Sequence, residues 1–290
     1  MGIVGSILAW HLLNAGRSFT WHDIDAKVRA WTASTGAIYP SGDVFDAMNY
    51  EVWSDWCHGE APWERFIGRH YETSGWWYCT KSAPHGAKGK PVARFGMLHR
   101  GPAPSMHFNA QSFVPATRAY FQKMRREGTP SGARKVITHG FSQRLDHYVW
   151  GWTRKVKLDW TALRPYERHE RAAVYLRRGR FVMAYAYPIP GEPWWYAGSN
   201  LIVQKKARSL VIPPKYETWK RNFEELSGGA VRIVEEGPFI EGWRPAGADL
   251  DGDLVREMDG ALVLKPFWNS GIRHSPLTMR AAMDALGGAR

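Results

Sequence analysis

Gly2 and Gly5 stand three residues apart in Met1-Gly2-Ile3-Val4-Gly5-Ser6, ahead of an apolar stretch of Ile7, Leu8, Ala9, Leu12, Leu13 and Ala15 that stops at Gly16. They take the places of the second and third glycines of G-x-G-x-x-G. The second of that motif lets backbone approach a pyrophosphate, and the third lets a helix pack closely on a sheet. The apolar stretch predicts a helix whose N-terminal N–H groups and positive dipole end suit phosphate. Phe19-Thr20-Trp21-His22 reads as a short strand. Asp23 follows at the distance, about 20 residues, where a carboxylate accepts from a ribose hydroxyl. The first strand and first glycine of such a βαβ unit would precede Met1, so a misassigned start that removes them is the expectation. An ordinary glycine-containing helix is the alternative.

Three further stretches carry candidate chemistry. Ser34-Thr35-Gly36-Ala37-Ile38-Tyr39-Pro40 is a small, hydroxylated loop whose backbone could approach a ligand. Gly242-Trp243-Arg244-Pro245 presents a guanidinium whose fork matches a carboxylate bidentately. Gly271-Ile272-Arg273-His274-Ser275-Pro276 runs into a helix expected over Leu277 to Leu286, with Pro276 at its start, where a missing N–H costs nothing. That second helix N-terminus could stabilise negative charge.

The elements that must position these residues are legible in part. Helix-like pieces are expected at Val44–Cys57 and Pro62–Tyr71, and a strand over Val92 to Leu98. An amphipathic helix is expected over Phe113 to Arg126, with Phe113, Ala116, Tyr120 and Met124 sharing one face. The apolar runs Val136–His139 and Tyr148–Trp152 could return to the nucleotide-binding sheet. From Ala172 to Val211 the pattern becomes long aromatic and β-branched strands broken by Gly179 and Pro188–Pro193, an antiparallel sheet carrying Tyr185, Tyr187, Trp195 and Tyr196 at strand spacing. Tyr216 to Leu226 reads as a helix and Ala261 to Leu264 as a buried strand.

Composition bounds the rest. The 290 residues are 44% hydrophobic and 23% charged, which marks a globular chain with ample core. No apolar run reaches the roughly 20 residues of a membrane span. Cys57 and Cys79 fit no metal or redox spacing, and the histidines show no H-x-x-x-H, so no metal is expected and a reducing cytoplasm is. A net charge of +12 and a pI near 9.8 favour an anionic partner over a neutral metabolite, with a solvated basic surface as the alternative. Sixteen tryptophans exceed what an ordinary core uses, and some could stack on a flavin or a base.

Taken in order, the segments Gly2–Gly5 with Asp23, Ser34–Pro40, Gly242–Pro245 and Gly271–Pro276 resemble the FAD-dependent amino-acid and amine oxidases related to D-amino-acid oxidase and glycine oxidase. The resemblance spans both ends of the chain, and departs from the family in the missing first strand and a shortened middle. It implies an α/β fold: a Rossmann-like FAD-binding domain with its first strand truncated (1–50, 113–158 and 242–290) and an interleaved antiparallel or mixed β-sheet substrate domain (51–112 and 159–241). FAD contacts are implied at Gly2, Ile3, Val4, Gly5, Asp23, Ser34, Thr35, Gly36, Ala37, Gly271, Ile272, Arg273, Ser275, Leu277 and Thr278. Arg244 is implied as the carboxylate clamp, Tyr187 and Tyr196 as weaker substrate contacts, and Arg273 as facing flavin or substrate. His274 is expected to be structural. The resemblance further implies hydride transfer to the flavin from a carbon beside an amine nitrogen. One branch acts on a glycine-like group on a tRNA wobble uridine, and some bacteriophages carry related enzymes for amino-acid adducts on thymine in hypermodified DNA. The basic charge and small size look like that phage branch, so modified DNA is the expected substrate, the product imine hydrolysing to glyoxylate and an aminomethyl base. The alternatives are a glycine, sarcosine or D-amino-acid oxidase, and a non-catalytic nucleic-acid-binding relic that has lost FAD.

Overall fold

The computed structural model describes residues 2–21, 31, 34–38, 44–79, 90–91, 98–101, 104–123, 134–138, 147–178, 182–198, 216–246, 253–264 and 272–287. Its elements run α1 (Ile3–Asn14), β1 (Ala37–Ile38), α2 (Val44–His58), α3 (Pro62–Gly68), β2 (Tyr71–Cys79), β3 (Lys90–Pro91), β4 (Leu98–Arg100), β5 (Ser105–Phe108) and α4 (Ala110–Lys123). They continue with β6 (Lys135–Ile137), β7 (His147–Asp159), β8 (Ala172–Arg178), β9 (Val182–Pro188), β10 (Trp195–Gly198), α5 (Tyr216–Leu226), β11 (Arg232–Ala246), β12 (Val255–Met258), β13 (Ala261–Leu264) and α6 (Ser275–Ala285). The result is a mixed α/β fold with two sheets.

The larger sheet follows the order β1-β5-β2-β8-β9-β10-β7-β11, with β4 beside β2 and β3 beside β4. β2 and β8 run parallel; the other pairs are antiparallel. Alternation along each strand separates two faces. One carries small or flat residues, Ala184, Ala186, Ala197, Val174 and Trp195, and packs on α5 through Trp219, Phe223 and Leu226 in one buried core. α5 lies where Tyr216–Leu226 predicts it. The other face carries Trp76, Tyr78, Tyr185 and Tyr187, which form a second buried cluster with Ala173. The antiparallel β8-β9-β10 meander confirms the expected strand pattern over the described part of 172–211.

The smaller sheet has the order β12-β13-β6, with β13 parallel to β6 and antiparallel to β12. Val136–Ile137 therefore does enter a parallel pair. Tyr148–Trp152 does not: it pairs with Trp243 and its neighbours inside the larger sheet, because β7 continues unbroken for 13 residues. Phe19–Trp21 forms no strand; Phe19 and Trp21 pack their rings against Phe121 instead. On α4 the buried face is Ala110, Phe113, Val114, Thr117 and Phe121, and Tyr120 is exposed. The stripe expected through Ala116 and Tyr120 is thus out of phase. Trp10 fixes the true phase by donating its indole N–H to Thr117 Oγ1 at 3.1 Å. His22, Asp23, residues 92–97, Met124 and residues 199–211 lie outside the described residues.

A third core joins α1, β1, α2, α3, α4 and α6 around Ile7, Trp10, Ile38, Trp53, Phe108 and Met279. Gly16 ends α1 at a positive φ of 68°, as its place after the apolar stretch predicts. Just beyond it, Arg17 donates to the carbonyls of Leu286 and Gly287 at the end of α6. Cys57 is buried in this core as a free thiol, and burial pushes its pKa up. No described helix is long and apolar enough to cross a membrane.

Three histidines are held neutral by this packing. Burial lowers His11 to about 4, where its ring lies between Trp56 and Trp63. Burial, with a smaller contribution from Arg69, lowers His70 to about 4. Burial, then the charge of Arg171, lowers His107 to about 3. The fold excludes the proton that the unfolded chain accepts near pH 6.5, so the stability these groups contribute is complete above that pH and is lost as pH falls from about 6.5 toward 4. We expect thermal denaturation from pH 7.5 to 4.5 to show a progressive fall in Tm, and His11→Phe to flatten it by on the order of 2 kcal/mol at the acid end. An unchanged slope in His11→Phe would exclude His11 as a contributor.

Candidate functional site

α1 and α6 pack side by side in the third core, and Arg17 ties their C-terminal ends together. At α1 the N-cap is Gly2, with no side-chain cap and no acidic residue in the first turn. The first turn, Ile3, Val4 and Gly5, thus contributes no carboxylate of its own to the helix N–H groups, and among the described residues a Cβ on Gly2 would meet nothing nearer than Trp31 Cδ1 at 3.9 Å. At α6 the N-cap is His274, also without a side-chain cap, and no acid lies in the first turn. Such ends attract anions.

The loop Ser34–Ala37 is built differently. Gly36 has φ 64° and lies so close to β5 that a Cβ would overlap the Phe108 carbonyl oxygen. Its carbonyl accepts the Phe108 N–H at 3.0 Å, and Ser34 Oγ accepts the Gly36 N–H at 3.4 Å. Glycine is required here by both φ and the close strand, independent of any ligand. Ile38 anchors the loop in the third core, while Ala37 packs on the tyrosine-bearing face of the large sheet. That places Ala37 and Tyr187 in one cluster. Register brings Tyr196 beside Tyr187, and Tyr185 beside Gly198. The same register, carried through Thr153 and Val149, puts position 244 on this sheet face as well.

The tyrosines are packed rather than open. Tyr187 and Tyr185 stack at 5.0 Å, the Tyr185 hydroxyl would lie 2.8 Å from a Cβ on Gly198, and the Tyr196 hydroxyl bonds to Gln111 Oε1. Burial, then Glu192, raises the Tyr196 pKa, so its phenol stays protonated. His107 lies on the same face, with its ring 5.7 Å from that of Tyr187 and its Nε2 2.7 Å from Ser74 Oγ. Ser74 donates its hydroxyl proton to Gly75 O at 2.9 Å. Nε2 of His107 therefore carries the ring proton.

α2 (Val44–His58) forms where a helix is expected over Val44–Cys57, but sequence reasoning missed that its side chains hold the other half of the site. Asp46, Asn49 and Trp53 fall at i, i+3 and i+7 on α2, one face of a helix. All three contact the turn Ile272–Ser275 or the residues just after it. Asp46 Oδ1 accepts from His274 Nε2 at 2.6 Å and lies 3.1 Å from Arg273 Nε. Asn49 Oδ1 accepts the Leu277 N–H at 3.1 Å, and Trp53 Nε1 donates to Ile272 O at 2.9 Å. Thr278 Oγ1 donates to the His274 carbonyl at 2.9 Å, so that side chain serves the turn itself. Ser275 is buried at the first position of α6. His274 has the structural role expected of it. The signal was available: two polar residues at helical spacing with a tryptophan on one face. Asp23 and Gly271 lie outside the described residues.

Trp53 also connects the two halves. Its ring meets Phe108 at 5.1 Å, and Phe108 is the residue bonded to Gly36. Trp53→Phe would leave the Ile272 carbonyl without its donor, a loss of about 1–3 kcal/mol. Gly36→Ala would add strain of about 1–3 kcal/mol from its positive φ alone, plus the overlap with Phe108. Chemical denaturation of each variant tests both values; a Gly36→Ala protein as stable as the parent would exclude this loop geometry.

No protein-family model and no curated protein matches this sequence. Solved structures do match its fold. An iminodiacetate oxidase from Chelativorans sp. BNC1 superposes with a TM-score of 0.65 at 14% identity, covering 99% of this chain and 94% of that one. Glycine oxidase from Bacillus cereus ATCC 14579 gives 0.64 at 15% identity, covering 100% and 94%. The L-α-glycerophosphate oxidase of Mycoplasma pneumoniae, solved with FAD bound, gives 0.60 at 12% identity, covering 99% and 93%. At these identities the likeness establishes a shared fold.

Proposed function

We propose that this chain is an FAD-dependent oxidoreductase acting on an amine or amino-acid-like substrate. The observation that carries the reading is that segments far apart in sequence, Ile3–Val4 at the start of α1, Ile38 just after the Ser34–Ala37 loop and Ile272 before α6, share one core, with no acidic residue in the first turn of α1 or of α6. The donor set fits the group: helix N–H groups at the start of α1 for a pyrophosphate and a glycine loop beside the tyrosine face. The shared fold with an iminodiacetate oxidase, a glycine oxidase and an FAD-bound oxidase supports it. Residues Gly2, Ile3, Val4, Gly5, Ser34, Thr35, Gly36, Ala37, Ile272, Arg273, Ser275, Leu277 and Thr278 would hold FAD. When bound, FAD would supply the acceptor for a hydride from the carbon beside the amine nitrogen.

The chain's own residues then orient the substrate. Arg244 binds a substrate carboxylate through its fork, from a position on the tyrosine-bearing sheet face. Tyr187 and Tyr196 form the wall of that face, Tyr187 stacked on Tyr185 and Tyr196 a phenol that burial keeps protonated, and they shape the site. The favoured substrate is a glycyl-type adduct on a thymine or uracil base in DNA. Water hydrolyses the oxidised imine to release glyoxylate and leave an aminomethyl base. The net charge of +12 supports a polyanionic substrate. The named oxidases of small amines among the fold neighbours favour a second reading, a glycine-like free amino acid.

An absorption spectrum of the purified, FAD-supplemented protein tests the first step: bands near ~450 nm, the colour of the cofactor itself, are expected. Persistent absence of flavin would leave a non-catalytic binding protein. With flavin present, glycyl-modified DNA should reduce it and yield glyoxylate, and DNA affinity should fall steeply with salt. Reduction by free glycine or sarcosine alone, with no DNA affinity, would select the small-molecule reading. Arg244→Leu should weaken a carboxylate-bearing substrate by roughly 10- to 100-fold, the loss of one or two charge-assisted hydrogen bonds, while leaving flavin content unchanged.

A further inference from the structure

Asp46 is a buried carboxylate in the first turn of α2. One of its oxygens serves two partners, His274 Nε2 at 2.6 Å and Arg273 Nε at 3.1 Å. A carboxylate only accepts, so His274 Nε2 carries a proton, and the Arg273 charge is matched from 3.1 Å away. The side chains of Asp46, Arg273 and His274 are 12%, 17% and 11% exposed, so solvent screens this pair poorly. The turn does not need the charge to stay docked. Asn49 holds Leu277 and Trp53 holds Ile272 by neutral hydrogen bonds on the same helix face. Buried ion pairs stabilise a fold little compared with neutral packing. What the carboxylate adds is electrostatic: it cancels the positive charge of Arg273, two residues before α6, where the helix N-terminus is itself positive.

We propose that Asp46 is a positioning residue for the oxidation, acting through Arg273: it orients the guanidinium and matches its charge, and so sets how readily a flavin held by this turn accepts electrons. This rests on the FAD reading above. Reduction of a flavin by two electrons adds negative charge, which an unmatched arginine nearby favours and a matched one does not.

The test is a spectroscopic redox titration of the flavin-loaded protein against a dye of known potential, in the parent, Asp46→Asn, Arg273→Leu and the double variant. Asp46→Asn is expected to favour the reduced flavin by about tenfold or more, a rise of about 30 mV for a two-electron couple. Arg273→Leu, which removes the guanidinium charge while Asp46 keeps its bond to His274, is expected to shift the equilibrium the opposite way, and the double variant to return close to the parent. If Asp46→Asn does not fold, the opposite shift in Arg273→Leu and its reversal in the double variant still decide the matter. A lower Tm with an unmoved potential in the single variants would make Asp46 merely structural and overturn the proposal. A double variant that stays shifted would also overturn it, because the effect would not pass through Arg273. Flavin bound with unmoved potentials defeats this proposal alone, whereas a parent protein that takes up no flavin defeats the FAD reading with it.

Discussion

A fully buried indole cannot leave its N–H unpaired without a cost of about 1–3 kcal/mol, and Trp53 meets that constraint at the carbonyl of Ile272, 219 residues away. The same ring lies against Phe108, whose backbone holds Gly36, and against Trp56, whose ring meets His11 of α1. One side chain thus ties the three segments that sequence spacing marks as ligand-binding. The packing around it is aromatic throughout: Trp10, Trp56, Trp63, Phe66, Phe113 and Phe121 fill the spaces between α1, α2, α3 and α4. Large rings suit this place because four helices meet a sheet edge here, and each ring spans a gap that a leucine would leave open.

This accounts for much of the tryptophan content. Trp53, Trp77 and Trp219 have no exposure, and Trp10, Trp76, Trp152 and Trp195 little more. Their indole N–H groups are spent inside the fold: Trp10 on Thr117, Trp77 on Glu167, Trp195 on the Ala172 carbonyl, Trp219 on the Gly198 carbonyl. A tryptophan so committed is a rivet between elements and not a stacking platform for a base. Glu167 shows the same economy with a charge. Burial raises its pKa, but hydrogen bonds from the His169 side chain and backbone, Arg100 and Arg168 outweigh that and hold it below the ordinary range. It also fills the space over Gly75, where a Cβ would overlap its carboxylate. The parallel junction of β2 and β8 depends on that missing side chain.

What could be read from the sequence followed from local constraints. Tyr216–Leu226 and Ala261–Leu264 were legible because their apolar periods are strong and their ends punctuated, and the Pro276 helix start because proline fixes φ without losing a hydrogen bond. Gly36 was legible as a special position, although its nearest neighbour is a strand and not a ligand. The phase of α4 was not, since Tyr120 and Phe121 are both aromatic and the buried face is fixed by packing from elsewhere in the chain, with Trp10 bonded to Thr117. The placement of β7 was hidden for a related reason: an apolar run shows that a strand is buried but not which partner it takes. Asp46 and Asn49 escaped notice because each is ordinary in a helix until the turn it serves is known.

The two halves of the candidate site are constrained to different degrees, and that difference bears on how substrate choice could vary. The turn before α6 is fixed by three residues of one helix, Asp46, Asn49 and Trp53, the last of which also packs on the strand that holds the Gly36 loop, so a substitution there disturbs several segments at once. The tyrosine face is a sheet surface. Its residues share a face by strand register and are packed there by the Tyr185–Tyr187 stack and the Tyr196–Gln111 hydrogen bond. Gly198 illustrates the coupling that does exist, because its bare Cα makes room for the Tyr185 ring. A larger residue at 198 would push Tyr185 toward Tyr187 and Ala37, and so reshape the substrate side while leaving the Trp53 junction intact. In this architecture the segments around Trp53 are held by shared buried contacts, and the tyrosine-bearing sheet face is the one freer to diverge.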